Sequence, residues 1–206
     1  MPLTLSVRDL ACVRGGRLVF QNLSFSLETG DALLLRGPNG SGKSSLLRVL
    51  AGFLEAAAGT IEWGDGAGSA ESEPVVAYLG HADAVKPALT VAENVAFWAA
   101  LADHPDATDR ALEAMALTPI ANVPGRALSA GQKRRTALAR LFASGADVWL
   151  LDEPESGLDS ASKARLATVI ETHRSGGGVV LASTHRGLDL AVAKTLSLDP
   201  VSGSAA

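Results

Sequence analysis

Gly37-Pro38-Asn39-Gly40-Ser41-Gly42-Lys43-Ser44 is the most informative run of the chain. It fits the phosphate-binding pattern G-x-x-x-x-G-K-[ST] in full. Its glycines let the backbone wrap an anion and turn several N–H groups inward. A helix that follows adds the positive end of its dipole to the same anion. Lys43 is expected to reach the β- and γ-phosphates of a nucleotide, and Ser44 to offer a hydroxyl to Mg²⁺. With Ser45, these residues form the expected nucleotide-binding loop. The competing reading is an ordinary glycine-rich turn between strand and helix. The flanks favour the phosphate loop: Asp31–Leu35 is a compact apolar run suited to a buried strand, and Ser44–Leu54 has helical spacing.

Outward from the loop, the chain alternates strands and helices. Leu3, Leu5 and Val7, then Leu23, Phe25 and Leu27, alternate with polar residues as half-buried strands do over 3–10 and 23–28. Gly15-Gly16 reads as the turn between them. Gly59–Trp63 and Val75–Leu79 read as strands, with an exposed loop rich in Gly, Ser and acids over 64–74 between them. Thr90 and Glu93 form a capping box that opens a helix running to Ala102. Asp109–Leu117 is a second helix. Val148–Leu151 and Val179–Ala182 are short β runs, with helical spacing in Ser160–Arg174 between them. This order predicts an α/β fold of the P-loop NTPase kind, with a mainly parallel sheet covered on both faces and an N-terminal antiparallel β part. Residues 84–139 are nearly all helical. They are expected to form a helical subdomain inserted into a nucleotide-binding core of 1–83 and 140–200, within a single domain of 1–206.

Composition limits the function classes. Of 206 residues, 47% are hydrophobic and 19% charged, a globular composition rather than a disordered one. Lys and Arg total 18 against 22 Asp and Glu, for a formal charge of −4, the opposite of what a broad nucleic-acid surface needs. No nucleic-acid partner is expected. Cys12 is the one cysteine, so a disulfide framework is impossible and a reducing compartment is implied. Met1-Pro2-Leu3-Thr4 has no basic region followed by an apolar stretch, so no signal peptide is expected. No apolar run approaches the roughly 20 residues needed to span a bilayer.

Two further motifs carry chemistry. Val148-Trp149-Leu150-Leu151-Asp152-Glu153 is an apolar strand ending in two acids. Asp152 is placed to hold Mg²⁺ and Glu153 to polarise an attacking water as general base. Leu128-Ser129-Ala130-Gly131-Gln132 puts a capping serine and two small residues at the start of a helix expected from about Gln132 to Ser144. This is a second phosphate-sized helix N-terminus. At this point the chain resembles the ABC ATPase family, whose signature is of this Leu-Ser-Gly-Gly-Gln type, with Ala130 in place of one glycine. The likeness covers about Leu3 to Leu198. Ser156-Gly157-Leu158-Asp159 resembles the family's loop after the catalytic acid, and Thr184-His185 its switch histidine.

The resemblance implies a head-to-tail dimer binding ATP and Mg²⁺. Ser129, Ala130, Gly131, Gln132 and Asp159 of one subunit would contact ATP held by Lys43 of the other. Lys43, Glu153 and His185 would be the catalytic set, with His185 holding the γ-phosphate and the attacking water. Two positions depart from the family pattern. Arg14 stands where an aromatic residue often stacks on adenine; a guanidinium can do the same, or the residue is a solvent-exposed turn arginine. His81 stands where a glutamine usually contacts water near the metal, which makes it a candidate with Ser44 and Asp152 for the Mg²⁺ shell.

These departures resemble the haem-exporter ATPases of bacterial cytochrome c maturation. The matches are Cys12 with Arg14, Leu79-Gly80-His81, Val85 to Asn94, and Leu128 to Arg140. The resemblance implies a peripheral location at the cytoplasmic face of the inner membrane and docking to integral membrane permease subunits near Val85–Trp98. No direct haem binding is expected. Phe97 and Trp98 are read as core residues in preference to docking residues. Other readings are an ATPase serving another ABC transporter, or a non-transport ABC ATPase such as one of iron–sulfur cluster assembly.

Overall fold

Three apolar strands fix the centre of the molecule, because each divides its side chains between two faces. In the computed structural model, which describes residues 3–64, 73–184, 188, 190 and 192–200, these strands are β3 (Ala32–Arg36), β6 (Val148–Asp152) and β7 (Val179–Ser183). Leu33, Leu35, Val148, Leu150, Val179 and Leu181 point to one apolar cluster. Ala32, Leu34, Trp149, Leu151, Val180 and Ala182 point to the other. This period-two split is what a sheet buried on both sides requires. With β5 (Val76–Leu79) and β8 (Lys194–Ser197) they form a five-stranded sheet in the order β5-β6-β7-β3-β8, each pairing parallel. The edge strand β8 has no counterpart in the sequence reading; its Lys194-Thr195-Leu196-Ser197 is too short and polar to stand out.

A second sheet covers one face. Strands β1 (Thr4–Arg14), β2 (Arg17–Glu28) and β4 (Ala58–Gly64) pair antiparallel in the order β2-β1-β4. Gly15 and Gly16 both have positive φ and join β1 to β2 in a two-residue hairpin. The strands are longer than the alternation suggests, because register shifts between Val7 and Val13 break the period.

Helix α1 (Lys43–Leu50) follows the phosphate loop. It ends earlier than Leu54, because Gly52 takes a left-handed conformation with its N–H on Val49 O while Phe53 donates to Arg48 O. Helix α2 (Val91–Leu101) opens with the expected Thr90–Glu93 capping box. Helix α3 (Ala107–Ala114) stops short of Leu117 by the same kind of cap, with Ala116 left-handed in place of glycine. Helix α4 (Ala130–Ala143) runs past residue 139, and α5 (Ser160–Ser175) returns the chain to β7. Helices α2, α3 and α4 pack on one another and share a single apolar cluster with the sheet face beneath them. Among the described residues no helix is long and apolar enough to cross a membrane.

Phe97 and Trp98 are a correction. They are 58% and 37% exposed, because α2 turns Val91, Val95 and Ala99 to the core and leaves those two on its outer side.

Candidate active site

The site lies at the C-terminal edge of the parallel sheet, where such folds collect their ligands. Strand β3 delivers the phosphate loop, β6 delivers Asp152 and Glu153, and β7 lies between them. The register sets Asp152 level with Ser183 on β7, and Ser183 level with Leu35 on β3.

The loop is packed tightly. A Cβ on Gly37 would collide with the Leu198 carbonyl oxygen, and one on Gly42 would meet Val19 Cγ1 at 2.7 Å. Both have φ above 100° or close to it, at 143° and 100°. Glycine is therefore needed here on two counts. Lys43 is 6% exposed, and its ammonium donates to the carbonyls of Gly37 at 2.7 Å and Pro38 at 2.9 Å. Its charged end thus lies on the loop's own backbone.

Asp152 is 1% exposed. Its Oδ1 accepts from Ser44 Oγ at 2.9 Å and from Ser183 Oγ at 2.8 Å. Its Oδ2 is buried without a hydrogen-bond partner. A carboxylate oxygen left in that state next to a serine hydroxyl suits a hard, oxygen-loving cation. Among the described residues no group of three or more His, Cys, Asp or Glu gathers into a metal cage. Ser44 Oγ and Asp152 Oδ2 are oxygen donors of the kind that would fit Mg²⁺, which takes one or two protein oxygens and completes its shell with water and substrate phosphates.

Glu153 has φ +48°, a strained conformation for a residue with a side chain. Its N–H donates to Ser183 Oγ at 2.9 Å, and its C=O accepts from Arg134 Nη2 at 2.7 Å. Ser183 thus ties the two acids together: it donates to one and accepts from the backbone of the other. Neither Ser183 nor Arg134 stood out in the sequence. Ser183 ends an apolar run, and Arg134 sits inside the basic run Lys133-Arg134-Arg135, where nothing in the sequence says which side chain is buried.

The structure brings Asn39, Gly40, Lys43, Ser44, His81 and Glu153 to a single open cleft of about 980 Å³. Arg14 joins them from the end of β1, beside Arg17, Leu18 and Val19 of β2, which the sequence did not mark. His185 lies outside the described residues. Ser129, Ala130, Gly131 and Gln132 line a different surface. Ser129 caps α4 in a reciprocal box with Gln132, with Ser129 Oγ accepting from Gln132 N at 3.3 Å and Gln132 Oε1 accepting from Ser129 N at 2.8 Å. The helix therefore begins at Ala130, two residues before the expected start. Ser129 and Ala130 are exposed. A Cβ on Gly131 would lie 3.2 Å from the Gly157 carbonyl oxygen, so the turn touches the loop that follows Glu153. Asp159 caps α5 by accepting from Ser162 N at 2.7 Å, and that backbone hydrogen bond holds its carboxyl below the usual range.

A second, apolar groove of about 320 Å³ opens between α2, α4 and β5, lined by Phe53, Tyr78, Trp98, Leu101 and Arg140. Of the stretch Val85–Trp98, Trp98 lines it.

Known proteins share both sequence and fold with this chain. Residues 20–156 match the ABC transporter family model. A cytochrome c biogenesis ATP-binding export protein CcmA of Rhodospirillum rubrum is 54% identical over 96% of this chain and 87% of its own length. The protein of that description from Paramagnetospirillum magneticum is 53% identical over 95% and 94%. A Pyrococcus furiosus ATP-binding protein assigned to ABC transporters superposes with a TM-score of 0.81 at 23% identity, over 95% of this chain and 97% of the other, which speaks to the fold. A transporter described as metal-chelate type, in an inward-facing conformation, gives 0.78 at 30% identity over 95% and 80%. On these matches, the chain belongs to the ABC transporter family of ATP-binding proteins and is CcmA-like among them.

Proposed function

We propose that the chain is the ATP-hydrolysing subunit of a bacterial ABC membrane complex, coupling hydrolysis to haem export or release of a haem-loaded chaperone in cytochrome c maturation. One observation carries the catalytic part: Lys43, Ser44 and Glu153 meet in one cleft, with Asp152 buried beneath them, while the capped Ser129 turn stands exposed outside it. A complete phosphate site and an unattached second phosphate-sized helix end on one chain suit a head-to-tail homodimer.

In that dimer, Gly37 to Ser45 bind the triphosphate through backbone N–H groups and the N-terminus of α1. Lys43 exchanges its loop carbonyls for phosphate oxygens. Ser44 and Asp152 would hold Mg²⁺, with His81 facing the same cleft; when bound, the ion would supply charge neutralisation at the phosphates. Glu153 takes a proton from the attacking water. His185 holds the γ-phosphate, and Arg14 stacks on the base. Ser129, Ala130, Gly131, Gln132 and Asp159 of the second subunit close the site. Loss of the γ-phosphate removes the anion that both helix ends share and releases the pair.

The division into a nucleotide-binding core of 1–83 and 140–200 with a helical subdomain of 84–139 belongs to the same reading. So does a peripheral position at the cytoplasmic face of the inner membrane. The exposed apolar groove at Phe53, Trp98 and Leu101 is the surface offered to the permease subunits, because contiguous apolar surface of this kind marks a partner. Cells carrying Lys43→Ala are expected to lose c-type cytochromes, and Glu153→Gln is expected to accumulate as an ATP-bound dimer. Unchanged cytochrome levels in the first would refute the pathway. A mutant that stays monomeric with ATP would refute the mechanism.

A further inference from the structure

Arg134 connects the signature helix to the catalytic acid. It lies one turn into α4, five residues after Ser129, and is 3% exposed. A guanidinium has five N–H donors in a fixed fork, and here five acceptors meet them. Nε donates to Pro154 O at 3.2 Å. Nη2 donates to Asp152 O at 3.0 Å and to Glu153 O at 2.7 Å. Nη1 donates to Gly80 O at 2.9 Å and to Asp83 Oδ1 at 3.1 Å. Four of the five acceptors are backbone carbonyls, and they belong to two segments distant in sequence. One carries Glu153, and the other carries His81.

The Glu153 end is the informative one. A left-handed glutamate persists only where its surroundings hold it. Its N–H is held by Ser183 from β7 and its C=O by Arg134 from α4. Arg140, farther along α4, adds donors to Asp83 O at 2.9 Å and Ala84 O at 2.7 Å. The segment that bears His81, which leaves the sheet at Leu79, is therefore also fixed to α4.

We propose that Arg134 is a positioning residue for hydrolysis: it sets Glu153 and the His81 segment relative to the Ser129 turn, so that movement of α4 on engaging the partner's ATP aligns the general base. This rests on the reading of Glu153 as that base. Arg134 does not line the cleft that holds Lys43, and its donors are taken by protein oxygens, so its loss acts on turnover and spares binding.

The test is steady-state ATPase activity of the full chain in its membrane complex. Arg134→Lys keeps the charge but not the planar fork. Since a misplacement of about 1 Å can cost roughly 10²-fold in rate, kcat is expected to fall by about 10- to 100-fold with KM for ATP within about 3-fold. In a Glu153→Gln background, Arg134→Lys should still form the ATP-bound dimer. Asp83→Asn, at a partly exposed carboxylate, removes only the charged acceptor and decides the matter if Arg134→Lys does not fold. Its kcat should fall about 3-fold at constant KM. A kcat within about 2-fold of the unmodified chain for Arg134→Lys, or a KM that rises in step with the loss, would overturn the proposal. If the unmodified chain shows no activity that Glu153→Gln abolishes, the ATPase reading itself has failed.

Discussion

Replacing Ser183 with alanine tests how the two acids are held. Ser183 is fully buried and supports both with one hydroxyl: it donates to Asp152 Oδ1 at 2.8 Å and accepts from Glu153 N–H at 2.9 Å. A hydrogen bond to a charged group is worth about 1.5–3 kcal/mol, and taking the acceptor from a buried N–H costs about 1–3 kcal/mol. The two share an atom and do not simply add, so about 3 kcal/mol of stability is at stake. For a domain of this length that lowers the thermal midpoint by about 6–12 °C. The Glu153 N–H also loses its Ser183 acceptor, leaving the bonds that its carbonyl accepts from Arg134 and Ser156, and kcat should fall roughly 10-fold or more while KM for ATP changes little. Differential scanning fluorimetry without nucleotide and steady-state ATPase assays give the two numbers. A midpoint within about 2 °C of the unmodified chain together with an unchanged kcat would refute the argument that Ser183 holds the pair.

Three other outcomes are expected. Burial against Trp149, on which it stacks at 3.9 Å, pushes His173 down from 6.5 to about 4. The unfolded chain takes its proton first, so stability declines as pH falls from about 6.5 and levels near 4; His173→Phe should flatten that slope in urea titrations at stepped pH. Thr90→Ala removes the cap whose partner Glu93 has its carboxyl held low by the Thr90 backbone N–H; the midpoint should drop by about 2–4 °C, and an unchanged midpoint would count against the cap. Arg14→Ala should raise KM for ATP about 3- to 10-fold with kcat little changed, and Arg14→Trp should restore it; equal KM values for all three would assign Arg14 to the hairpin alone.

What was legible in the sequence follows from the range of the forces involved. The phosphate loop, the apolar strand before Asp152 and the Thr90–Glu93 capping box are specified within a few residues, and each stands where local rules put it. Helix ends were read less well: Gly52 stops α1 visibly, but Ala116 stops α3 in the same conformation without a glycine to announce it. Ser183 and Arg134 were not legible. Ser183 matters because the strand order puts β7 between β3 and β6, and Arg134 because α4 crosses behind Glu153 and Gly80. Phe97 and Trp98 carry the same apolar chemistry whether they face the core or a groove, so only the rotation of α2 decides between them. His81 and Arg14 do reach the cleft that holds Lys43, although neither matches the residue type usual at its position.

The close approach of Gly131 to the Gly157 carbonyl has a consequence for how the subunits count. In the head-to-tail pair proposed above, each chain would lend its Ser129 turn to one nucleotide and its Glu153 to the other. Because that turn lies against the loop after Glu153 and its helix is bonded to the Glu153 segment through Arg134, a disturbance at the first nucleotide would be felt at the second within one chain. The pair then works as an indivisible unit. In randomly mixed populations of active and disabled chains, output would follow the square of the active fraction rather than the fraction itself. A bacterium expressing equal amounts of both would keep about a quarter of its export capacity, not half.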